Sequence, residues 1–142
     1  MKILVRESLL ARVRDAVGTR MFRRLYALVG GKKVDLTDNG DKSCALFVST
    51  ALVGFKLIRE VHVTVDGLVR DMRSSGWVRI RRPKAGCVVV WRGLDPTQPR
   101  LHIGFYIGRG EAISNSSNHK GPQTHVYRGD KVQDLYWTKG LD

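Results

Sequence analysis

The sequence has few cysteines, no long apolar run and far fewer acidic than basic residues. Its two cysteines, Cys44 and Cys87, are too few for a disulfide scaffold, and a single bridge between them is uncommon in a reducing compartment. No run approaches the ~18 apolar residues that span a bilayer, so no membrane span is predicted. The four histidines and two cysteines form no closely spaced ligand pairs, so neither a metal site nor a cofactor is predicted.

The N-terminus also lacks the apolar stretch of a secretory signal. The segment MKILVRESLLARVRDAVG is interrupted by Arg6, Glu7, Arg12, Arg14 and Asp15. The sequence therefore predicts a cytoplasmic protein. Action outside the cell would require a longer precursor, non-classical release or delivery by a phage.

What is present is enough for one folded domain with a basic surface. A chain of 142 residues, 42% of them hydrophobic, can bury a core of its own. The formal charge of +12 attracts polyanions such as nucleic acid, anionic lipid or phosphate-bearing wall polymers. The alternative is a basic surface without a dedicated anionic partner.

Two helical patterns precede the middle of the chain. Residues 7–28 repeat apolar side chains at helical spacing among arginines, with a break at Gly18 and a stop at Gly30-Gly31. We interpret residues 1–25 as a basic helical extension of a single domain that spans 1–142. Residues 43–59 are almost entirely apolar and predict a central helix, with Asp41 and Ser43 at its start. Their β-branched residues would also permit strands.

A short helix and a run of strands follow. Thr64 predicts the cap of a helix that Gly76 closes. Beyond it, residues 87–93 predict a buried strand, 95–100 a turn-rich loop, and 101–115 a hairpin that turns at Arg109-Gly110. Two more short strands are expected within 124–137. Helices followed by a meander indicate an α+β fold with a central helix packed on an antiparallel sheet.

Cys44 has the position of a possible nucleophile. The first turn of a helix offers unpaired N–H groups and a partial positive charge, which stabilise a thiolate and lower its pKa. His102 is the candidate base, because it should project from the face opposite Ile103 and Phe105, beside the space left by Gly104. The competing interpretation is that Cys44 is a small core residue.

Four segments resemble the NlpC-type cell-wall cysteine peptidases of the papain-like group. HIGFYIGRGEAIS resembles their H-V-G-I-Y-I-G-N-G strand pair, DKSCALFVSTAL their D-C-S-G-F-V nucleophile segment, and PKAGCVVVW their P-G-D-L-V-F-F strand. YALVGG resembles their Y-x-W-G-G groove element. The sequence departs from the family in having Ser43 and Ala45-Leu46 beside the cysteine, and Cys87 where aspartate is usual.

The resemblance implies a papain-like fold and a catalytic group of Cys44, His102 and a third residue. Asn115 is the preferred third residue, Ser114 aligns with the family's usual histidine, and His119 is a further option. Tyr26 and Ser43 are the implied substrate-binding residues. His62, His119 and His125 are otherwise interpreted as loop or surface residues, and Cys87 as core.

The expected function is a cysteine-dependent amide hydrolase, and the resemblance implies a stem peptide of peptidoglycan as its substrate. A basic nucleic-acid-binding domain is the alternative from another class, although no strand interleaves aromatic and basic residues and no helix-turn-helix or zinc pattern occurs. A catalytically inactive domain that binds wall or peptide is the third possibility.

Overall fold

A computed structural model describes residues 1–94, 96 and 100–142. Its helices are α1 (Val5–Asp15), α2 (Cys44–Val53) and α3 (Val65–Ser74). Its strands are β1 (Tyr26–Val29), β2 (Lys32–Asp35), β3 (Val78–Ile80), β4 (Val88–Arg92), β5 (Leu101–Gly108), β6 (Glu111–Ser116), β7 (Gly121–Val126) and β8 (Val132–Trp137). Short 3-10 helices cover Gly129–Lys131 and Lys139–Leu141.

The strands form two antiparallel sheets. β1 and β2 pair as a separate hairpin, and the other strands form one sheet in the order β3-β8-β4-β5-β6-β7. Helix α2 packs on β5 and β6. Its Phe47 contacts Phe22 and Phe105 edge to face, with ring centroids 5.2 and 5.7 Å apart. The predicted α+β class, with a central helix on an antiparallel sheet, is confirmed.

The N-terminal prediction is correct for the first helix and wrong for the residues after it. Helix α1 packs its Leu9 and Val13 into the same core as the rest of the chain. Gly18 ends the helical pattern with a φ of +80° and donates its N–H to the carbonyl of Pro122. The apolar residues after Gly18 therefore do not continue a helix, and Tyr26–Val29 forms strand β1 instead.

The central helix is shorter than predicted. It ends at Val53, because Gly54 begins a tight turn in which Lys56 has a φ of +57°. The N–H of Leu57 then bonds to the Leu52 carbonyl. Residues 54–59 thus leave the helix, although Phe55, Leu57 and Ile58 keep this segment partly apolar.

The other elements follow their sequence signals. Thr64 caps α3 by accepting from the N–H of Gly67 at 3.1 Å, and Gly76 follows this helix with a φ of +96°. The β5–β6 hairpin turns at Arg109 and Gly110, both with positive φ. Strand β3 was not predicted. The predicted loop at 95–100 falls largely outside the described residues.

Asp71 on α3 holds the segment that follows α2. Burial would raise the pKa of this carboxyl, but hydrogen bonds from the His62 ring and from the N–H groups of Arg59 and Glu60 lower it to about 2. The His62 Nε2 to Asp71 Oδ2 distance is 2.7 Å. His62 thus lies just before the cap of α3, as predicted, and its ring pairs with Asp71.

We expect Asp71→Asn to lower the free energy of unfolding by about 2 kcal/mol at neutral pH. The folded-state pKa lies below the unfolded value, so this stabilisation is present above pH ~4 and is lost as the pH falls towards 2. Urea unfolding of both proteins across this range measures the difference. The control, Asp66→Asn in the exposed first turn of α3, should cost less than about 1 kcal/mol. A wild-type advantage that persists unchanged at pH 2 would contradict the assignment.

Within the described part of the chain, no helix combines the length and the apolar character needed to cross a membrane.

Candidate active site

Cys44 is the first residue of α2, and its side chain is half-buried. The preceding Ser43 occupies the N-cap position without making a side-chain cap hydrogen bond. Its hydroxyl instead donates to the carbonyl of Phe22 at 2.5 Å. This buried bond fixes the direction in which the chain enters the helix. Because the Ser43 hydroxyl is used in this bond, it does not cap the first N–H groups of α2.

Burial raises the pKa of the Cys44 thiol above its ordinary value. A backbone hydrogen bond from Ile103, the charge of Arg100, and the N–H groups of Ala45 and Cys44 act in the opposite direction without cancelling the effect of burial. The expectation that the helix start lowers the thiol pKa is therefore not met. A neutral thiol must lose its proton to a base before it can attack.

We expect alkylation of Cys44 by iodoacetamide to be slow at pH 6–7 and to accelerate up to pH 9 and beyond, because only the thiolate reacts. Mass spectrometry of the modified peptide gives the rate at each pH. Cys87 provides an internal comparison, since it is fully buried and burial raises its pKa to about 11. A fast rate that is already constant between pH 6 and 8 would show instead a thiolate stabilised at neutral pH.

His102 is the second residue of β5. The adjacent Ile103, like Phe105, is fully buried, and alternation along the strand places the His102 ring on the opposite face. The His102 Nε2 lies 2.8 Å from the Ser114 Oγ. Cys44, His102 and Ser114 line the same cleft, which has a volume of about 750 Å³.

Gly104 permits the close approach between β5 and β6 at this point. It pairs with Ser114 across the two strands. A Cβ atom at this position would lie 2.6 Å from the Ser114 Cβ and 2.7 Å from the Ile113 carbonyl oxygen. Because Gly104 has no side chain, the space beside His102 stays open, as the sequence predicted.

A second histidine extends the hydrogen-bonded chain. The His125 Nε2 lies 2.7 Å from the Ser114 Oγ, and the His125 Nδ1 lies 2.7 Å from the Val126 carbonyl oxygen. Since a carbonyl only accepts, Nδ1 of His125 carries the hydrogen, and Nε2 of the neutral ring accepts from Ser114. Ser114 then accepts from Nε2–H of His102. In a neutral His102 ring, this arrangement leaves the lone pair on Nδ1.

Trp91 supports both imidazole rings. Its ring centroid lies 5.7 Å from that of His102 and 5.3 Å from that of His125. The indole is fully buried and donates its N–H to the Tyr127 carbonyl at 2.7 Å. Burial lowers the pKa of His125, against a smaller opposite effect of the hydrogen bond to Val126. The environment therefore favours the neutral His125 ring that the hydrogen-bond pattern requires.

The preferred third residue, Asn115, lines the same cleft, but its side chain is bonded to a different partner. Its Nδ2 donates to the Gly40 carbonyl at 2.8 Å. Its Oδ1 is the atom that would accept from an imidazole, and it has no hydrogen-bond partner within the described residues. His119 bonds through Nδ1 to the Ser116 hydroxyl at 3.1 Å. Of the three residues considered, Ser114 is the one bonded to the His102 ring through Nε2.

The two residues predicted to bind substrate do not present their side chains to this cleft. Ser43 is fully buried, with its hydroxyl on Phe22. Tyr26 is exposed at the start of β1, with the Lys33 ammonium 4.6 Å above its ring, and it is absent from the residues that line the two clefts described here. Arg100 lines both clefts, and sequence reasoning did not select it.

His125 was also missed, because its neighbours suggest a polar surface strand. Strand pairing supplies the missing signal: Ser114 pairs with Gln123, and Ala112 pairs with His125. Paired residues share a face of the sheet, so His125 lies on the same face as Ser114. The sequence alone does not show that His125 and Ser114 share a face, because this conclusion requires the β6–β7 register.

No protein-family model and no curated protein matches the sequence. Among solved structures, the chain is similar to NlpC2 from Trichomonas vaginalis, with a TM-score of 0.61 and 20% sequence identity. The match covers 98% of this chain and 49% of that one, so this chain spans about half the length of its structural neighbour. The α+β architecture described above is therefore an NlpC-like, papain-like fold.

Proposed function

We propose that this protein is a cysteine-dependent amide hydrolase. The observation that carries the proposal is the shared cleft, in which Cys44 begins a buried helix and His102 is bonded to Ser114 on the facing sheet. The structural likeness concerns the fold, and the assignment of chemistry rests on these side chains.

His102 acts first as a base. Its Nδ1 takes the thiol proton as the sulfur of Cys44 attacks the amide carbon and the carbonyl electrons move to oxygen. The N–H groups at the start of α2, including that of Cys44, stabilise the resulting oxyanion. Because burial raises the pKa of the Cys44 thiol, the attack depends on this transfer of the proton to His102.

His102 then acts as an acid. It returns the proton to the leaving amine as the carbon–nitrogen bond breaks, which leaves a thioester on Cys44. Water, deprotonated by His102, attacks this thioester and releases the acid and the free thiol. Ser114 and His125 hold the Nε2–H of His102 in a hydrogen bond to the Ser114 hydroxyl throughout.

The proposed substrate is a stem peptide of peptidoglycan, as the sequence resemblance implies. Incubation of the protein with soluble peptidoglycan fragments should release new amino termini. An acid quench during turnover should leave an acyl adduct on the Cys44 peptide, detected by mass spectrometry. Fragments that remain intact, with no adduct from these or from simple peptide amides, would refute the proposal.

The basic charge is what supports the alternative of nucleic-acid binding. In that case DNA binding would fall steeply with salt concentration, while Cys44 would remain unmodified by any acyl donor. An inactive wall-binding domain would retain fragments without cleaving them. The adduct on Cys44 distinguishes the hydrolase from both alternatives.

A further inference from the structure

The hairpin of β1 and β2 extends away from the rest of the domain. Every residue from 28 to 34 is exposed. These residues line neither the first cleft nor a smaller cleft of about 450 Å³ that adjoins Cys44 at the start of α3. At the tip, Gly30 and Gly31 have positive φ values, and a Cβ atom built on either would meet no atom of the described residues within 4 Å. The tip therefore projects into open space.

The base of the hairpin is held in place. The Asp35 carboxylate accepts from the N–H groups of Leu25 and Thr37, both at 3.0 Å, and from that of Asn39 at 2.8 Å. Burial would raise the pKa of this carboxyl, but these bonds lower it to about 2. The Leu36 N–H also donates to the Leu25 carbonyl at 2.8 Å. The projection is thus anchored, and the carboxylate of the single acidic residue in the hairpin is used at its base.

The tip is apolar on both faces. Leu28 pairs with Lys33 and Val29 pairs with Lys32, and paired residues share a face of the hairpin. Leu28 is 78% exposed and Val29 is 54% exposed, and the exposed Val34 lies on the same face as Val29. Each face therefore presents aliphatic surface to water beside a lysine. A cluster of exposed apolar side chains of this kind is typical of an interaction site.

These two faces together favour one kind of partner. A protein that docks on one face of the hairpin would leave the other apolar face in water. Single-stranded nucleic acid stacks its bases on aromatic side chains, whereas the side chains nearest the tip are aliphatic. The interfacial layer of a bilayer surrounds an inserted segment on all sides. Lysines suit such a layer, because their aliphatic stems lie among the lipids while their ammonium groups stay at the headgroups.

Charge indicates which lipids would bind. Lys32 and Lys33 follow the tip, and the exposed Arg20 and Arg24 precede the hairpin in a chain of formal charge +12. The exposed acidic residue nearest in sequence, Asp38, lies beyond the base. Basic side chains near a membrane are attracted by anionic headgroups. The charge of the hairpin thus complements a surface of anionic phospholipids.

The length of the exposed part also fits. Two residues of β1 and three of β2 lie within 28–34, which corresponds to roughly 7–10 Å at about 3.4 Å per residue. Interfacial segments enter a bilayer to a depth of about 5–10 Å. The tip can therefore enter the headgroup layer while the base and the domain remain outside it.

We propose that the β1–β2 hairpin inserts its tip into the interfacial layer of a membrane that contains anionic phospholipids, and that it holds the protein at this surface. The occupant of the exposed apolar tip is lipid. The inference does not depend on the proposed hydrolase activity, because residues 28–34 line neither cleft at Cys44.

Sedimentation with vesicles of phosphatidylcholine and phosphatidylglycerol, in a ratio of about two to one, tests the proposal. We expect the wild type to bind them at least about 10-fold more tightly than vesicles of phosphatidylcholine alone, and high salt to reduce this preference. The double variant L28S/V29S should bind the anionic vesicles at least about 10-fold more weakly, because it removes aliphatic surface that the lipid would bury. The matched control, V61S/V78S, changes two valines that are 43% and 60% exposed outside the hairpin, and it should bind like the wild type.

A Leu28→Trp variant reports the insertion itself. Its tryptophan emission should shift to shorter wavelength when anionic vesicles are added, and lipids brominated near the headgroup should quench it. Vesicle binding that L28S/V29S retains, or emission that the vesicles leave unchanged, would overturn the proposal. So would a wild type that ignores anionic vesicles, whether it binds DNA, soluble peptidoglycan fragments or neither. None of these results concerns Cys44, whose acyl adduct remains the test of the hydrolase.

Discussion

Cys44→Ala is expected to lower the rate of amide hydrolysis by at least about 10⁴-fold, because it removes the atom that forms the covalent intermediate. The remaining groups of the cleft can still bind the substrate, so its dissociation constant should change little. Product release from a peptide amide, followed by chromatography, measures the rate. Calorimetric titration of the variant with the same peptide measures binding.

The matched control for this substitution is Cys87→Ala. Cys87 is fully buried in the core, and its pKa of about 11 keeps it a neutral thiol at every pH of the assay. We expect this variant to lose stability while it keeps its activity per folded molecule. Equal activity in Cys44→Ala and the wild type would exclude cysteine catalysis, whatever the fold.

His125→Phe is expected to lower kcat by about 10²-fold or more with little change in KM. The phenyl ring preserves packing on Trp91 but cannot accept the Ser114 hydroxyl proton. Ser114 is then free to donate to Nε2 of His102, which moves the imidazole proton to Nδ1 and removes the lone pair that takes the thiol proton. Ser114→Ala should also reduce kcat, because it removes the acceptor that holds the Nε2–H of His102.

His125→Gln should restore much of the lost activity, because an amide can accept from Ser114 through its oxygen and donate to the Val126 carbonyl through its nitrogen. NMR of the imidazole nitrogens reports the tautomer of His102 directly. It should show the Nε2–H form in the wild type and in His125→Gln, and the Nδ1–H form in His125→Phe. If His125 only fills space beside Trp91, the phenylalanine variant would be active and its His102 tautomer unchanged.

Much of the secondary structure was predictable because it depends on local signals. Thr64 and Gly76 delimit α3 through a side-chain cap and a positive φ. The Arg109-Gly110 turn and the alternation along β5 are similarly local. The end of α2 was not predictable, because residues beyond Val53 are apolar enough to continue a helix. Asp71 stabilises their alternative path by binding the N–H groups of Arg59 and Glu60 from a neighbouring helix.

The hydrogen bond between His102 and Ser114 shows how strand register limits sequence reasoning. Regular pairing counted from Gly108 and Glu111, which face each other at the turn, would place Asn115 opposite Gly104, on the same face as His102. The structure has an irregularity between Tyr106 and Gly108 that shifts the pairing by one residue and brings Ser114 opposite Gly104 instead. A shift of one residue exchanges the two faces of a strand, so Asn115 lies on the strand face opposite to that of His102, although it still lines the first cleft.

The sequence by itself determined the α+β class, the helix that begins at Cys44, and the strand face from which His102 projects. These depend on periodicity and local capping, which act over a few residues. Only the tertiary structure decided that Ser114 and His125 form a hydrogen-bonded chain with His102 and that Arg100 lies close to Cys44. It also decided the direction of the Cys44 pKa shift, since burial depends on what the rest of the chain packs around the sulfur, and this outweighs the local effect of a helix end.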